Sequence, residues 1–491
     1  MADALAAVAH DHHAADPNGP SAARIEGWLG ALVPRTMCPG GWTQAARFAG
    51  AEPLVTGRVR AYDESTLRRA ADRLDAAGCS ARVAQAMWCQ VDRAVNASGE
   101  EVIAYTDMFD QPYYTKKLAH AAPIGRLGNR LLAGVYFGVT TVALANGPTL
   151  FLHLSWHKPA APLHDGLVDL LADPARLAWW HEHVWSHIWD RGGNGDRTLA
   201  LAWAWDIPYL TISPKSADLW RFHAATMHAE DGRPLVFRPD PRLGGTLEDG
   251  PWEAIVPASP DKPESERGIR FRSAIAFGEE ELRGLTVFYK SRWPEMENQL
   301  KAVIARGFGR NRTRSLEMTT SRGVDGAVER AREQEIDQLA VLKSLTEEAS
   351  SGKNITMVLK TARKIEDARR AQIAALEGAT LKNARTAGGS ERLAKQLHLL
   401  THNALTIALH SSDDEEVQVM DPNTVFALLL DRPAVTCIEN GRLTMWVEAI
   451  GGAADRRRQA ALVETFNGIG LRCRGCAVTI RVRRDTAQDG G

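Results

Sequence analysis

The sequence predicts an α/β protein, because strand and helix patterns follow one another along the middle of the chain. Residues 23–100 have mainly helical periodicity, and from residue 101 the chain changes to short apolar runs that are typical of strands. Two of these runs flank Asn146-Gly147, a dipeptide that strongly favours a β-hairpin. A helical stretch at 166–184 then precedes a further apolar run. A hairpin followed by a helix and another strand indicates a sheet with helices packed against it.

The N-terminal part is expected to begin with a flexible, Ala-rich tail at residues 1–22. Asp11-His12-His13 within this tail is therefore not expected to bind a metal ion. Helical periodicity recurs at Glu64–Ala76 and Ala81–Val95, with Ser80 as the expected N-cap of the second helix. The pair fits both a helix-turn-helix that reads DNA and two plain packing helices.

The predicted strands lie between residues 101 and 290. They are Val102–Thr106, Gly138–Leu144, Thr149–Leu154, a strand that ends before Asp190, and Tyr209–Ile212. Residues 230–289 are expected to add further strands, because apolar side chains alternate from Ile269 to Phe277. A helix should follow, with Pro294 in its first turn. Its apolar stripe is predicted to consist of Met296, Leu300, Val303 and Ile304.

Three acidic residues stand at the ends of these predicted elements. Asp107 and Asp190 each follow an apolar run, and Glu297 lies where a strand end is expected to run into a helix. A carboxylate just past a buried strand is costly unless it is paired or binds a metal ion. Two such Asp residues and a helix-borne Glu are what a two-metal site for phosphoryl transfer requires, because carboxylates can hold divalent ions on both sides of a phosphate. Each acid taken alone is also compatible with an ordinary strand or helix terminus.

The residues around the three acids form three motifs. The first is Thr-Asp-Met-Phe-Asp-Gln-Pro-Tyr-Tyr-Thr-Lys-Lys at 106–117, and the second is Trp-Asp-Arg-Gly-Gly-Asn-Gly-Asp at 189–196. The third is Tyr-x-x-Arg-Trp-Pro-x-x-Glu-Asn-x-x-Lys at 289–301. This succession resembles the DDE transposases of bacterial insertion sequences. The resemblance covers about residues 60–310 well and the C-terminal third loosely.

The resemblance implies a ribonuclease H-like catalytic core at residues 101–310, with a β-rich insertion at 230–289 before the helix that carries the catalytic Glu. A helical N-terminal region at 23–100, with a possible role in DNA binding, would precede this core. Residues 311–400 are rich in Ala, Glu, Lys, Arg and Leu and are expected to form long basic helices. Residues 401–491 are expected to form a small α/β C-terminal unit. It should contain a hairpin of Ala434–Ile438 and Leu443–Ala449 that turns at Glu439-Asn440-Gly441.

The resemblance also implies a metal-dependent DNA transposase that cleaves DNA at the ends of an insertion sequence and transfers the strand. Asp107, Asp190 and Glu297 would be the catalytic residues and would hold Mg²⁺, which Mn²⁺ could replace. Basic and aromatic residues would hold the DNA, namely Lys116, Lys117, Arg126, Arg130, Tyr289, Arg292 and Lys301. The partners would be double-stranded DNA, as terminal repeats and as target, and a second copy of the chain in a homodimer on that DNA.

One departure from the family pattern concerns the third motif. A common form has three residues between Arg and Glu, whereas four residues separate Arg292 from Glu297 in this chain. Glu295 is therefore an alternative for the third acid. Asn298 directly follows Glu297, as in the family's Glu-Asn pair, and favours Glu297. On an α-helix the two glutamates would lie about 200° apart, so both cannot face the same ions.

Charge and composition favour a folded, DNA-binding protein in the cytoplasm, associated with the nucleoid. The net charge of the 491 residues is −1, but no acid occurs from residue 111 to 164. Eight basic residues stand against three acids from 290 to 322, which suits phosphate contacts. No apolar run is long enough for a membrane span, and no signal peptide is evident. The six scattered cysteines indicate reduced thiols, and the single Cys473-Arg-Gly-Cys476 is not expected to bind zinc.

Two alternatives to an active transposase are compatible with the sequence. A catalytically decayed, transposase-derived DNA-binding protein would keep the fold without needing all three acids, and all three are present. A non-transposing metal-dependent nuclease would need the acids but not the Tyr-x-x-Arg-Trp-Pro segment. Cleavage of DNA that carries the terminal repeats separates these alternatives, since it would be end-specific, absent or indiscriminate.

Overall fold

A computed structural model describes residues 2–37, 62–112, 124–127, 130–157, 163–190, 193, 195–212, 227–228, 234–239, 252–257, 268–273, 288–308, 316–320, 382–386, 388–473 and 475–483. The chain divides into two compact units. The first comprises Met1–Tyr113, Pro123–Thr313 and Gly389–Gly491, and the second comprises Tyr114–Ala122 and Arg314–Gly388. Helices and mixed sheets both occur, so the predicted α/β class is confirmed.

The described residues before the first strand are helical. They form α1 (Ala2–Ala15), α2 (Ala22–Thr36), α3 (Glu64–Ala76) and α4 (Cys79–Ser98). The expectation of a flexible tail at residues 1–22 is therefore wrong for α1, which packs against α2 and α4 and buries Leu5 and Val8. An Ala- and His-rich segment has a weak apolar stripe, so tertiary packing rather than local pattern stabilises this helix.

The boundary between α3 and α4 differs from the prediction. α3 has the predicted bounds, and Asp63 caps it by accepting a hydrogen bond from the backbone N–H of Thr66 at 2.8 Å. Ser80 is not the N-cap of α4, because Gly78 precedes the helix at a φ of +79°. The Ser80 hydroxyl instead donates a hydrogen bond to Asp75. Glycine suits this left-handed position, which a side chain would disfavour.

One large sheet dominates the first unit, and ten of the described strands belong to it. These strands are β1 (Val102–Pro112), β2 (Ile124–Leu127), β3 (Arg130–Ala143), β4 (Thr149–His157), β5 (Val184–Trp189), β6 (Tyr209–Ile212), β7 (Met227–His228), β8 (Pro234–Pro239), β9 (Trp252–Pro257) and β10 (Gly268–Ser273). The strand β1 has β3 and then β4 on one side, and β5 and then β6 on the other. β5 and β6 run parallel to β1, whereas β3 is antiparallel to β1 and β4 to β3.

The local patterns account for these strands. β3 and β4 form the hairpin predicted at Asn146-Gly147, and β6 has its predicted bounds. Three strands, β8, β9 and β10, lie within the predicted insertion at 230–289 and extend the sheet beyond β6 as antiparallel neighbours. β10 ends at Ser273, and the last residues of the alternating segment, 274–277, lie outside the described residues.

Helices cover the face of β1 that carries Ala104. The helical stretch predicted at 166–184 is divided into α5 (Leu163–Leu171) and α6 (Pro174–His183), because Asp173 caps a new helix that begins with Pro174. The next helix, α7, is Asp196–Ala204. With α4, these helices bury a hydrophobic core against the sheet. Its members include Val91, Val95, Val102, Ala104, Leu150, Leu152, Leu167, Leu170, Trp180, Trp189, Leu199 and Tyr209.

The helix that carries Glu297 lies on the opposite face of β1, where the hydroxyl of Tyr105 is hydrogen-bonded to Ser291 at 2.8 Å. This helix, α8, is described from residue 288 to 305. It contains a π-helical segment, Trp293–Asn298, followed by α-helical turns at Gln299–Ala305. The described helix already includes residue 288, whereas the sequence predicted a helix with Pro294 in its first turn.

Two details of α8 correct the sequence prediction. Pro294 lies inside the helix rather than in its first turn, and it opens the π-helical segment. Proline lacks a backbone N–H and crowds the preceding turn, so a locally widened helix accommodates it. The predicted stripe residues Met296, Leu300 and Val303 are buried, but Ile304 is 39% exposed.

A long helix, α9 (Gly388–His410), closes the edge of the large sheet at β4. The side chain of Asn403 accepts a hydrogen bond from the backbone N–H of Phe151 at 2.8 Å and donates one to its carbonyl at 2.8 Å. Nearer the start of α9, Glu391 and Lys395 form a buried ion pair at 3.5 Å. Lys395 belongs to the segment expected to form basic helices, yet it faces the interior and not solvent.

The C-terminal residues form a four-stranded sheet within the first unit. Its strands are β13 (Ala434–Glu439), β14 (Arg442–Glu448), β15 (Arg472–Cys473) and β16 (Cys476–Arg483), and its helices are α10 (Glu415–Gln418), α11 (Pro422–Val425) with a π-helical extension at Phe426–Leu430, and α12 (Ala453–Gly468). β13 and β14 form the predicted hairpin, with Asn440 and Gly441 at positive φ. α12 packs Leu462 and Phe466 against Val447 of β14.

The described part of the second unit consists of two antiparallel strands, β11 (Leu316–Thr320) and β12 (Lys382–Thr386). Both lie within residues 311–400, where long basic helices were expected, so that expectation is wrong for these strands. Their pairing is between residues far apart in sequence, which helical periodicity does not reveal. The rest of 311–400 before α9 lies outside the described residues. Among the helices that the structure describes, none is long and apolar enough to cross a membrane.

Candidate functional site

Two of the three candidate acids lie side by side where the pairing of β1 with β5 stops. The predicted end of the first strand at Thr106 is wrong, because β1 continues to Pro112; Asp107 therefore lies within β1, whereas Asp190 directly follows β5. β1 and β5 are paired in parallel up to Thr106 and Trp189. Asp107 and Asp190 are the next residues on their two strands, and neighbouring strands lie about 4.8 Å apart. Because side chains alternate along β1, Asp107 leaves the sheet on the face of Tyr105, where α8 packs. Parallel pairing therefore brings both acids to one point below α8.

A chain of hydrogen bonds across three strands holds this point in register. Oγ1 of Thr106 lies 2.8 Å from Oγ1 of Thr140 on β3 and 2.7 Å from Nε2 of His187 on β5. All three side chains are buried. Burial lowers the pKa of His187 to about 3, so its imidazole is neutral. The residue directly before Asp107 is thereby fixed to both neighbouring strands.

The turn after Asp190 is tight. The backbone carbonyl of Asp190 accepts hydrogen bonds from the N–H of Gly193 at 3.1 Å and from Oγ1 of Thr211 at 2.9 Å. A β-carbon at Gly193 would collide with the indole of Trp189 and with Leu163. Gly193 of the second motif thus has a steric reason in this fold, because the backbone at this position lies close over a buried tryptophan.

The π-helical segment determines which glutamate reaches the two aspartates. In a regular α-helix, residues five apart point about 140° away from each other. A π-helical turn has an i→i+5 pattern, which returns the fifth residue to nearly the same side. Arg292 and Glu297 are five apart across this segment, and Nη2 of Arg292 donates to Oε1 of Glu297 at 2.6 Å. The π-helical turn therefore accommodates the additional residue of the third motif and keeps Glu297 on the same side of α8 as Arg292.

Glu295, the alternative third acid, faces a different part of the sheet. Its carboxylate accepts a hydrogen bond from the hydroxyl of Thr149, and its backbone carbonyl accepts one from Thr141 at 3.4 Å. With the Tyr105–Ser291 contact, these bonds attach α8 to β1, β3 and β4. Glu295 thus holds α8 against β4 through Thr149, whereas Glu297 shares Arg292 with Asp107.

Arg292 forms ion pairs with one carboxylate of β1 and with one of its own helix, α8. Its Nη1 donates to Oδ2 of Asp107 at 3.1 Å, and its Nη2 donates to Oε1 of Glu297 at 2.6 Å. The side chain of Arg292 is 13% exposed, and both carboxylates are 19% exposed. Burial by itself would lower the pKa of the guanidinium, but Asp107, Tyr289, Glu297 and Asp190 together raise it above the ordinary value.

The electrostatics indicate a surplus of negative charge. Burial, followed by the charge of Asp190, raises the pKa of Asp107 to about 6, although Arg292 opposes this effect and Glu297 adds to it. Burial likewise raises the pKa of the Tyr289 phenol to about 12, with contributions from the three acids. Three carboxylates therefore act on one another around a single guanidinium.

The three acids have the chemistry of a magnesium site. Carboxylate oxygens are the ligands that Mg²⁺ prefers. A divalent cation would offset both the burial and the repulsion from Asp190 that raise the pKa of Asp107. Within the described residues, however, no three His, Cys, Asp or Glu side chains are grouped closely enough to hold a metal ion. The Arg292 guanidinium lies between Asp107 and Glu297 instead, so an ion bridging them would require this side chain to move.

The other residues predicted to bind DNA are only partly assembled around this site. Tyr289 and Arg292 lie with the acids, since the Arg292 guanidinium is 5.9 Å from the centre of the Tyr289 ring. Lys301 is not in this group: its ammonium lies 4.7 Å from the centre of the exposed Trp293 ring. Lys116 and Lys117 lie outside the described residues, and Arg126 and Arg130 lie in β2 and β3, where only the backbone is described.

Sequence reasoning missed several residues that shape the site. Thr106, Thr140 and His187 hold the register, and Ser291 and Thr149 hold the helix. The π-helical segment did leave a signal, because Pro294 and the additional residue before Glu297 occur together. The cross-strand contacts left none, since they join residues that are far apart in sequence.

Comparison with known proteins adds no family assignment. Neither a protein-family model nor a curated protein sequence matches the chain. The functional interpretation therefore depends on the motifs and on the geometry of Asp107, Asp190, Glu297 and Arg292.

Proposed function

We propose that the chain is a DDE-type DNA transposase that uses divalent metal ions to cleave and join DNA at the ends of an insertion sequence. The observation that carries the proposal is the meeting of three acids from separate elements. Asp107 lies in β1 beside the end of β5, which Asp190 follows, and Glu297 of α8 shares Arg292 with Asp107. Acids whose negative charges act on one another within one small region are characteristic of functional sites rather than of strand termini.

The strand arrangement supports a ribonuclease H-like core for this enzyme. β1 is flanked by an antiparallel hairpin on one side, and helices lead from that hairpin to the parallel strand β5 that ends at the second Asp. This is the order that the resemblance implies. The antiparallel strands β8, β9 and β10, which lie between β6 and α8, correspond to the proposed β-rich insertion.

The residues would divide the chemistry among themselves. Asp107, Asp190 and Glu297 would hold Mg²⁺, or Mn²⁺ in its place, which polarises a phosphate and lowers the pKa of an attacking water. Arg292 and Tyr289 would orient oxygens of the scissile phosphate, since an arginine presents paired donors to phosphate. The buried Thr106–His187 contact would keep the two aspartates at a constant separation. α8 would hold Glu297 in place through Ser291 and Glu295.

The C-terminal sheet offers a further surface for DNA. β14 and β16 pair Trp446 with Arg481 and Glu448 with Arg483, so these side chains share the face away from Val447 and α12. This face carries four exposed arginines and two acids, Arg442, Arg472, Arg481, Arg483, Glu439 and Glu448. An arginine-rich sheet face with a tryptophan suits phosphates and nucleotide bases.

This surface can be tested by its salt dependence. Neutralising two arginines, Arg481→Gln with Arg483→Gln, should weaken DNA binding and reduce the slope of log K against log salt by about 0.9 for each lost phosphate contact. A matched control is Arg456→Gln with Arg457→Gln on α12, whose exposed side chains lie on another element. Equal slopes for both double variants would contradict a role for the sheet face.

The catalytic proposal is tested with purified protein, Mg²⁺ and a DNA fragment that carries the terminal repeats of the element. We expect cleavage at the element ends, by a homodimer that holds two ends together. Asp107→Asn and Asp190→Asn should each lower the cleavage rate by on the order of 10²–10³ while DNA binding persists. Cleavage at random positions would indicate a nuclease, and no cleavage with DNA binding intact would indicate a decayed, DNA-binding relative of transposases.

A further inference from the structure

We propose that Arg292 is an internal counter-ion that occupies the acidic site until DNA draws it away, so that divalent metal ions bind well only in the DNA complex. The inference rests on the proposed function and adds its regulation. Arg292 would then have two alternative partners, the carboxylates in the free protein and a DNA phosphate in the complex. Metal loading and DNA binding would be coupled through one side chain.

The geometry makes the guanidinium and a bridging ion mutually exclusive. Arg292 contacts Oδ2 of Asp107 at 3.1 Å and Oε1 of Glu297 at 2.6 Å, and it is only 13% exposed. Oxygen ligands of Mg²⁺ lie about 2.0–2.1 Å from the ion in a strict octahedral arrangement. A guanidinium that donates hydrogen bonds to both oxygens fills the space between them, so an ion cannot bridge these same two oxygens while Arg292 holds them.

The charge balance explains why Arg292 settles there in the free protein. The charges of Asp107, Glu297 and Asp190 all act on the guanidinium of Arg292, which is hydrogen-bonded to the first two. Partly buried carboxylates without a counter-charge would be costly. The guanidinium removes part of that cost. An ion that enters without DNA must first displace it.

The geometry also explains how DNA could release Arg292. Phosphate accepts two parallel hydrogen bonds from a guanidinium as well as a carboxylate does. Arg292 directly precedes the π-helical segment of α8, and the next residue, Trp293, is 58% exposed. An opening to solvent therefore lies next to Arg292 on this helix. A phosphate brought to this opening would compete with both carboxylates.

The test measures Mn²⁺ binding to the DNA-free protein by calorimetry and by the electron paramagnetic resonance signal of bound Mn²⁺. Arg292→Gln should bind Mn²⁺ about tenfold more tightly than the unaltered protein, within the range typical of coupled sites. Arg292→Lys should lie between the two, because lysine keeps the charge but lacks the two separate nitrogens with which Arg292 contacts the two carboxylates. A thermal melt with EDTA and with Mn²⁺ adds a second measurement: the variant should be less stable in EDTA and should gain more from Mn²⁺.

Arg306→Gln is the matched control, since Arg306 is 12% exposed and pairs with Asp431 at 2.6 Å near the other end of α8. It should lose stability without any change in Mn²⁺ affinity. Unchanged or weaker Mn²⁺ binding by Arg292→Gln would overturn the inference. If Asp107→Asn still abolishes Mn²⁺ binding in that case, the proposed function stands without its regulation. If neither the free protein nor its DNA complex binds Mn²⁺ at these acids, both proposals fail.

Discussion

Two arginines near the two ends of α8 have almost the same exposure and the same hydrogen-bond distance to a carboxylate, but they differ in the acids around them. Arg292 and Arg306 are 13% and 12% exposed, and each donates a 2.6 Å hydrogen bond to a carboxylate. Arg306 also bonds the side-chain and backbone oxygens of Asn423 and stacks over Phe426 at 4.3 Å. Its one acid, Asp431, is 40% exposed. Around Arg292, by contrast, three acids converge.

The difference teaches that burial and hydrogen bonding do not separate a functional arginine from a structural one. At the Arg306 end, one charge meets one partly exposed charge, and the remaining contacts are neutral. At the Arg292 end, burial and then the charge of Asp190 raise the pKa of Asp107 to about 6 despite its ion pair with Arg292. Carboxylates that act on one another in this way are characteristic of functional sites, so a bound ligand explains them better than stability does.

The largest expected effect separates the two glutamates of the π-helical segment. Glu297→Gln should lower DNA cleavage by on the order of 10²–10³, because it removes a charge from the acidic group. Glu295→Gln should keep cleavage within a few-fold and lower the free energy of unfolding by about 1–2 kcal/mol, since it weakens the hydrogen bond with Thr149. Cleavage rates and chemical unfolding of both variants measure the contrast. The reverse pattern would place the catalytic glutamate at 295.

A change of helix length tests the π-helical segment itself. Deleting Glu295 leaves three residues between Arg292 and the catalytic Glu, and a regular α-helix then brings both to the same side. We expect this deletion to keep cleavage within about tenfold of the unaltered protein, at a cost of about 1–2 kcal/mol for the lost Thr149 contact. Inserting an alanine between Met296 and Glu297 should instead misplace the carboxylate and cost about a hundredfold in cleavage. Equal activity of deletion and insertion variants would show that this spacing is unimportant.

The smallest expected effect is on the free energy of unfolding. It contrasts Asp107, the ion-pair partner of Arg292, with Asp431, the ion-pair partner of Arg306. The folded-state pKa of Asp107 is about 6, above the ordinary value of 3.8, so ionisation of this carboxyl opposes folding above about pH 6. The penalty disappears as the pH falls toward 4. Asp107→Asn should therefore raise the free energy of unfolding of the metal-free protein by about 1–2 kcal/mol at pH 8 and by little at pH 4.

Asp431→Asn is the counterpart at the other end of the helix. It removes a partly exposed ion pair and should lower the free energy of unfolding at pH 8 by at most about 1 kcal/mol. Thermal melts in EDTA at both pH values give the comparison. Destabilisation by Asp107→Asn at pH 8 would mean that Asp107 is an ordinary structural ion-pair partner, like Asp431.

The sequence predicted elements well where local pattern decides them. The bounds of α3 and β6 and the hairpins at Asn146-Gly147 and Asn440-Gly441 follow from helical periodicity, strand composition and turn residues. α1 was missed because its stability depends on packing against α2 and α4. β12 was missed because its partner, β11, lies some sixty residues earlier in a stretch of helix-forming composition.

The candidate site could be anticipated in its residues but not in its contacts. Strand ends indicated Asp107 and Asp190, and the Glu-Asn pair favoured Glu297 over Glu295. The bridge from Arg292 to Asp107 joins residues 185 positions apart, so no local pattern could reveal it. The contact of Lys301 with the ring of Trp293 was not anticipated either, and its role in holding DNA stays a prediction.

The side chain of Asn403 has a consequence for how two copies of this chain can meet. Its amide satisfies both backbone groups of Phe151 on β4, the strand at the edge of the large sheet. Asn467 does the same for Ile480 of β16, at 2.8 and 2.9 Å. An exposed edge recruits strands from other molecules and leads to aggregation. Each carboxamide occupies two backbone groups that a strand of another copy would need for pairing, so it disfavours contact between copies at Phe151 and at Ile480.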